Sequence, residues 1–166
     1  MLEKLFGKKT KPSPFVEVVA PLSGQAVALA NVPDEAFSRG FMGEGLAIEP
    51  SEGVLAAPFD GTVAHLIDTH HAIIVEHASG LQLLLHIGVN TVGLKGAGFR
   101  ARVNTGDRIA CGQTLIEFDL ETIRQAGYPV ITPVVVANME TVRHVDAVQG
   151  NVIRGQSGLL KVALQA

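Results

Sequence analysis

The chain has 166 residues, 47% of them hydrophobic and 17% charged, which excludes bulk disorder and leaves enough apolar mass for one buried core. A net charge of −3 gives no electrostatic footprint for nucleic acid, and a single cysteine, Cys111, excludes an internal disulfide and a cysteine-rich metal site. No apolar run approaches the roughly twenty residues of a membrane span, and the first residues lack the apolar core of a secretory signal, so a cytoplasmic protein is expected.

The opening MLEKLFGKKTKPSP (residues 1–14) is set apart by its lysines and by Pro12 and Pro14. It reads as a flexible basic tail. Leu2, Leu5 and Phe6 with the surrounding lysines would also suit a short amphipathic segment making peripheral contact with an anionic membrane. From residue 15 to 166 one domain is expected. Short apolar stretches broken by Gly, Pro, Asn and Asp predict strands at Val16–Ala20, Gln25–Leu29, Leu46–Glu49, Thr62–Ile67, His71–Glu76 and Leu81–His86. Further strands are predicted at Thr114–Phe118, Val130–Ala137, Asn151–Ile153 and Leu159–Leu164. Helical windows are short: Asp34–Phe37, Leu120–Gln125 and Met139–Val142. The pattern predicts an all-β antiparallel sandwich or barrel with a few connecting helices.

Two pairs of segments resemble each other. APLSGQA (Ala20–Ala26) is similar to APFDGTV (Ala57–Val63), and IACGQT (Ile109–Thr114) to VIRGQS (Val152–Ser157). Each reads as a glycine-containing turn leading into a strand, which suggests an internal duplication.

Of six histidines, two fall into a relationship. If His71–Val75 and Leu81–Leu85 form a hairpin with a two- or four-residue loop, Ile73 faces Leu84 and His71 faces His86. Facing residues share one side of the sheet, with Cβ atoms roughly 4.5–5.5 Å apart. An odd-length loop would shift that register by one. Two adjacent imidazolium rings repel, so at neutral pH at least one ring of such a pair is neutral and able to act as nucleophile or ligand. The bland alternative is two strand-end histidines tied to backbone carbonyls. His65, His77 and His144 have no comparable partner and read as structural, and His70 points away from His71 if the strand is regular.

The sequence lacks H-E-x-x-H, G-x-S-x-G, C-x-x-C, a P-loop and a dinucleotide fingerprint. What a histidine pair can still do is phosphoryl chemistry. One neutral ring attacks a phosphoryl donor while its neighbour and backbone N–H groups of the Ile87–Asn90 loop donate to the transferred oxygens.

The stretch GLQLLLHIGVNTV (Gly80–Val92) resembles the active-site motif of the glucose-type IIA components of the bacterial sugar phosphotransferase system. LKGAGF (Leu94–Phe99), NVPDEAF (Asn31–Phe37), APFDGTV, IEFDL (Ile116–Leu120) and TPVVVANM (Thr132–Met139) are similar to the family in the same order. The resemblance spans residues 15–164. It implies a β-sandwich phosphocarrier in which His86 is phosphorylated and His71 stabilises the phosphoryl group in transit. It further implies that Thr69 orients an imidazole through its hydroxyl, and that the Gly88 backbone holds the Nδ1 side of His86, leaving Nε2 to attack.

By the same resemblance, Val32, Phe37, Ile67, Leu84 and Val92 line an apolar depression that seals against a partner, and Asp34 sets a carboxylate near the site. Two departures stand out: Asn90, where many members carry Asp, and His70, where a non-ionisable residue is more usual. The implied partners are the phosphocarrier protein HPr as donor and a cysteine of a sugar-specific IIB domain, with its IIC permease, as acceptor. Permeases or kinases are implied as regulatory targets of the unphosphorylated form. No cofactor is required; some members hold zinc at a partner interface, for which His71 and His86 would be the ligands. A biotinyl- or lipoyl-type carrier shares turns like APFDGTV and GDRIACGQTL but needs a lysine on a hairpin tip, which is missing. A zinc peptidase would need a third ligand.

Overall fold

The computed structural model describes residues 15–165; the basic segment 1–14, with its expected membrane contact, lies outside the described residues. In chain order the strands are β1 (Phe15–Val18), β2 (Gly24–Ala28), β3 (Gly45–Pro50), β4 (Val54–Ala56), β5 (Gly61–Leu66), β6 (Ala72–His77) and β7 (Gln82–His86). They continue as β8 (Phe99–Ala101), β9 (Arg108–Ile109), β10 (Thr114–Phe118), β11 (Thr132–Val136), β12 (Val142–Ala147), β13 (Gly150–Val152) and β14 (Leu160–Leu164). Helices α1 (Glu35–Ser38) and α2 (Leu120–Gln125) are connectors, as expected. Each starts where an aspartate accepts from the first free N–H groups: Asp34 from Ala36 at 2.9 Å, Asp119 from Glu121 at 3.0 Å. The window at Met139 becomes a 3-10 turn, and Val142 already belongs to β12.

An eight-stranded sheet runs β13-β2-β3-β11-β7-β6-β5-β9, beside two three-stranded sheets, β1-β14-β12 and β4-β10-β8. Every pairing is antiparallel. The large sheet is open at both edges, so the architecture is a sandwich and not a closed barrel. Successive side chains on a strand point to opposite faces, and here both faces are apolar. Leu46, Ile48, Ile73, Val75, Leu83, Leu85, Val134 and Val136 enter the main core. Ala47, Ala72, Ile74, Leu84 and Val135 form a second cluster on the other face. Burial on both faces is why LQLLL and TPVVV carry no polar alternation. The strands missed in the sequence are short (β4, β8, β9) or, in β12, exposed at four of six positions and so without an apolar signature.

The duplication extends to individual hydrogen bonds. Ala20 N–H donates to Gln156 and Ala57 N–H to Gln113, both at 2.8 Å; Gly155 and Gly112 return bonds to the carbonyls of Ala20 and Ala57. The Arg154 N–H is accepted by Ser23 Oγ and the Cys111 N–H by Asp60 Oδ1, each at 2.8 Å. Gly24 and Gly61 open their strands where a Cβ would sit 2.0 Å from the Glu49 carbonyl and 2.1 Å from that of Glu76. Only glycine permits so close a backbone approach. The sheet order is therefore symmetric about the β11–β7 pairing.

The β6–β7 hairpin corrects the expected register. Its loop has three residues, Ala78–Gly80, with the His77 N–H donating to Leu81 and Gly80 at φ +95°. A three-residue loop with glycine in the left-handed region is a standard hairpin closure. His86 consequently faces Ala72, and His71 lies opposite Ile87, whose N–H it accepts at 2.8 Å.

Candidate active site

Despite the shifted register, the two rings meet. Their centroids are 5.0 Å apart at an interplanar angle of 80°. His71 precedes the first residue of β6, and His70 before it sits at φ +61°. That left-handed turn breaks the strand alternation, so His71 is not committed to the core face on which a regular strand would place it. The same turn removes the basis for expecting His70 to point directly away.

Both rings are held by Nδ1. His86 Nδ1 lies 2.8 Å from the carbonyl oxygen of Gly88. A carbonyl only accepts, so Nδ1 carries the proton and a neutral His86 presents its lone pair at Nε2. His71 Nδ1 lies 2.7 Å from Thr69 Oγ1. When the hydroxyl donates, His71 has its proton on Nε2. Neither Nε2 has a hydrogen-bond partner among the described residues.

The surroundings favour neutral rings. Burial pushes His71 down to about 4, with the neighbouring His86 adding to the fall; the residue is only 5% exposed. Burial also lowers His86, opposed by the Gly88 carbonyl and by the Asp34 charge. Asp34 is thus close enough to be felt at His86, although its carboxylate also caps α1. The ring of Phe37 lies 5.3 Å from that of His86, and Phe99 lies 6.4 Å from His71.

Of the expected apolar lining, Val32, Phe37 and Leu84 are buried in the second cluster, and Ile67 packs against it. Val92 is not among them: it is 57% exposed, on the 3-10 turn Thr91–Leu94. Asn90 caps that turn at φ +63°, a left-handed conformation that asparagine tolerates better than most side chains. His65 and His144 are exposed, the latter paired with Asp146. His77 ends β6, at the far end of the strand from His71, against Phe59.

The loop after His86 is more fully bonded than the sequence suggests. The Ile87 N–H goes to the His71 carbonyl, the Gly88 N–H to Thr132 Oγ1 at 3.4 Å, and the Val89 N–H to the Pro129 carbonyl at 3.2 Å. Three of the four N–H groups expected to face a phosphoryl group are therefore already given within the protein. Gly88 is at φ +74°, and a Cβ there would lie 2.6 Å from Thr91 Cγ2 and 2.7 Å from the Pro129 carbonyl. Thr132 and Pro129 escaped the sequence reading because nothing local ties them to a loop some forty residues earlier; Thr91 lay inside the motif Gly80–Val92 but was given no role there. Among the described residues no group of three or more His, Cys, Asp or Glu gathers to hold a metal. The two free Nε2 atoms supply half of a tetrahedral zinc set, so further ligands would have to come from a partner.

Comparison with known proteins identifies the family. A family model described as phosphoenolpyruvate-dependent sugar phosphotransferase system, EIIA 1, matches residues 16–142. The chain is 39% identical over 163 residues to the PTS system glucose-specific EIIA component of Oceanobacillus iheyensis, covering 98% of this chain and 99% of that one. It is 37% identical over 160 residues to the protein of the same name from Haemophilus influenzae, covering 96% of each. The structure of glucose permease IIA from Mycoplasma capricolum superposes with a TM-score of 0.80 at 29% identity, covering 88% of this chain and 95% of that one. A histidine pair on a β-sandwich, one ring held by the Gly88 carbonyl and the other by the Thr69 hydroxyl, thus sits in a chain that belongs to the EIIA 1 family of the sugar phosphotransferase system.

Proposed function

We propose that this chain is a cytoplasmic histidine phosphocarrier that takes a phosphoryl group from phospho-HPr on His86 Nε2 and passes it to a cysteine of a sugar-specific IIB domain. The observation that carries the reading is the bond from His86 Nδ1–H to the Gly88 carbonyl, which leaves Nε2 as the free lone pair. In the forward step that lone pair forms a bond to phosphorus while the donor's phosphorus–nitrogen bond breaks and its electron pair returns to the donor ring. The Nδ1 proton stays on the ring, donated to the Gly88 carbonyl, and that hydrogen bond disperses the ring's positive charge. His71, with Thr69 donating to its Nδ1, turns Nε2–H toward the phosphoryl oxygens and stabilises their charge in the transition state. In the onward step a cysteine thiolate of IIB attacks phosphorus and His86 leaves as a neutral imidazole.

The apolar cluster around the pair has a chemical use. In-line transfer between proteins needs fixed geometry and exclusion of water from the phosphohistidine. Val32, Phe37 and Leu84 offer an apolar surround against which HPr and IIB can close in turn. Asp34 opposes accumulated negative charge on His86 and assists release. No nucleotide or metal takes part. Zinc at a partner interface would be held by the same two Nε2 atoms and would compete with phosphorylation. The named relatives are glucose-specific, so glucose is the sugar to test first.

The test uses the full chain with phosphoenolpyruvate, enzyme I and HPr. An acid-labile, base-stable adduct should form on His86 and be lost in His86→Ala. The reading is falsified if label settles on another residue or on none.

A further inference from the structure

We propose that Thr132 and Thr91 are positioning residues for phosphoryl transfer: together they clamp the single peptide group between Ile87 and Gly88, and thereby hold the carbonyl that selects the reactive nitrogen of His86. The inference rests on His86 Nε2 being the reacting atom, as proposed above.

Thr91 Oγ1 donates to the Ile87 carbonyl at 2.5 Å. The next atom pair of the same peptide plane is the Gly88 N–H, which Thr132 Oγ1 accepts at 3.4 Å. Thr132 in turn donates its hydroxyl proton to the Val130 carbonyl at 2.9 Å, so its lone pair is left for Gly88. Both threonines are fully buried, and both hydroxyls are spent on the backbone of this site. With the bonds of Ile87 N–H to His71 and of Val89 N–H to Pro129, every polar backbone atom from the nitrogen of Ile87 to that of Val89 has a partner.

This bonding leaves Gly88 little freedom to turn. A peptide group is planar, so fixing its oxygen and its N–H fixes the plane and the entry to Gly88, while the Val89 N–H bond to Pro129 holds the following plane; between the two, the Gly88 carbonyl is set. The next carbonyl along is the one that receives the His86 ring proton. If the plane were free to rotate, that carbonyl would leave Nδ1, the ring proton would redistribute between Nδ1 and Nε2, and the nucleophile would be present only part of the time. Thr132 contributes a second coupling: it lies in β11, paired with Ile48 of β3, and so ties the nucleophile's tautomer to the other half of the sheet. The arrangement does not touch the phosphoryl group. It acts through Gly88 alone.

Thr132→Val keeps the side-chain shape and removes the hydroxyl; Thr132→Ser keeps the hydroxyl and removes a methyl. Two readouts are taken on the full chain: the ring ¹⁵N shifts of His86 without phosphate, and the rate of phosphorylation from phospho-HPr. In Thr132→Val the ¹⁵N shifts should report a mixed tautomer, and the rate should fall about tenfold. Thr132→Ser should return both toward the parent values. Thr91→Val should shift the tautomer in the same direction, and it carries the test if Thr132→Val does not fold. Unchanged ¹⁵N shifts in the folded variants overturn the proposal. So does a serine variant that falls as far as valine, because packing and not the hydroxyl would then be responsible. If the parent chain takes no phosphate, the phosphocarrier reading fails on its own, and the ¹⁵N shifts still judge the clamp.

Discussion

In the half of the large sheet built from β2, β3 and β11, the Val136 N–H donates to the Glu44 carbonyl at 2.8 Å. In the half built from β5, β6 and β7, the Ile87 N–H donates to the His71 carbonyl at the same distance. Glu44 and Val135 therefore hold the places that His71 and His86 hold across the β11–β7 seam. The halves share a backbone and its glycine contacts, yet only one bears the imidazoles. The connections make the difference. Between β5 and β6 the chain turns in five residues, with His70 in a left-handed conformation that frees His71 from strand alternation. Between β2 and β3 it wanders through a 3-10 turn and α1, which brings Val32 into the second cluster and the Phe37 ring to 5.3 Å from that of His86. One half supplies both rings, and the other adds Val32 and Phe37 to the apolar cluster beside them.

The comparison breaks most visibly at His71. His71→Gln should still accept phosphate on His86, while onward transfer to IIB falls by about 10²–10³, the usual cost of losing one preorganised donor. Single-turnover transfer from labelled protein measures this, and an unchanged rate would remove His71 from the mechanism.

Next come the paired glycines. Gly24→Ala and Gly61→Ala each force a Cβ to about 2 Å from a carbonyl oxygen, and each should lose about 3 kcal/mol in denaturant unfolding. Unequal losses would show that the two close backbone approaches are not energetically equivalent. A smaller contrast separates two left-handed glycines. Gly80→Ala meets open space and should lose only the backbone strain, about 1–2 kcal/mol. Gly88→Ala adds the clashes with Thr91 and Pro129 and should lose clearly more.

A pH profile sharpens the same asymmetry. The His71 pKa is about 4 in the folded chain, below its ordinary 6.5, so the unfolded chain binds more protons between those values. Stability from this residue is complete above about pH 6.5 and is lost as pH falls toward 4. His71→Gln should flatten that part of the curve. The smallest effect belongs to the equivalent position in the other half: Glu44→Ala, at an exposed side chain, should leave transfer and stability within about 0.5 kcal/mol of the parent.

Much of the fold was legible because turn residues punctuate this sequence clearly. The helical windows opening at Asp34 and Leu120 marked both α-helices, and the repeated A-P-x-x-G marked two turns whose hydrogen bonds match. The hairpin register was read one residue off, since His77-Ala78-Ser79-Gly80 does not declare whether two, three or four residues form the loop. Val92 entered the lining set through the family resemblance, and the structure leaves it exposed on the turn Thr91–Leu94, outside the second cluster. β12 gave no signal because a mostly exposed strand has no apolar stripe to read.

What the sequence by itself determined was the chemistry available: two histidines near one hairpin, a glycine two residues beyond the second, and a threonine two residues before the first. Those contacts are local, and short loops leave few other outcomes. The tertiary structure alone decided what holds the Gly88 peptide in place and what packs against the His86 ring. Thr132 reaches Gly88 across 44 residues of sequence, and Phe37 comes to the His86 ring from the other half of the sheet. Contacts of that kind follow from strand order, which packing settles and local pattern does not encode.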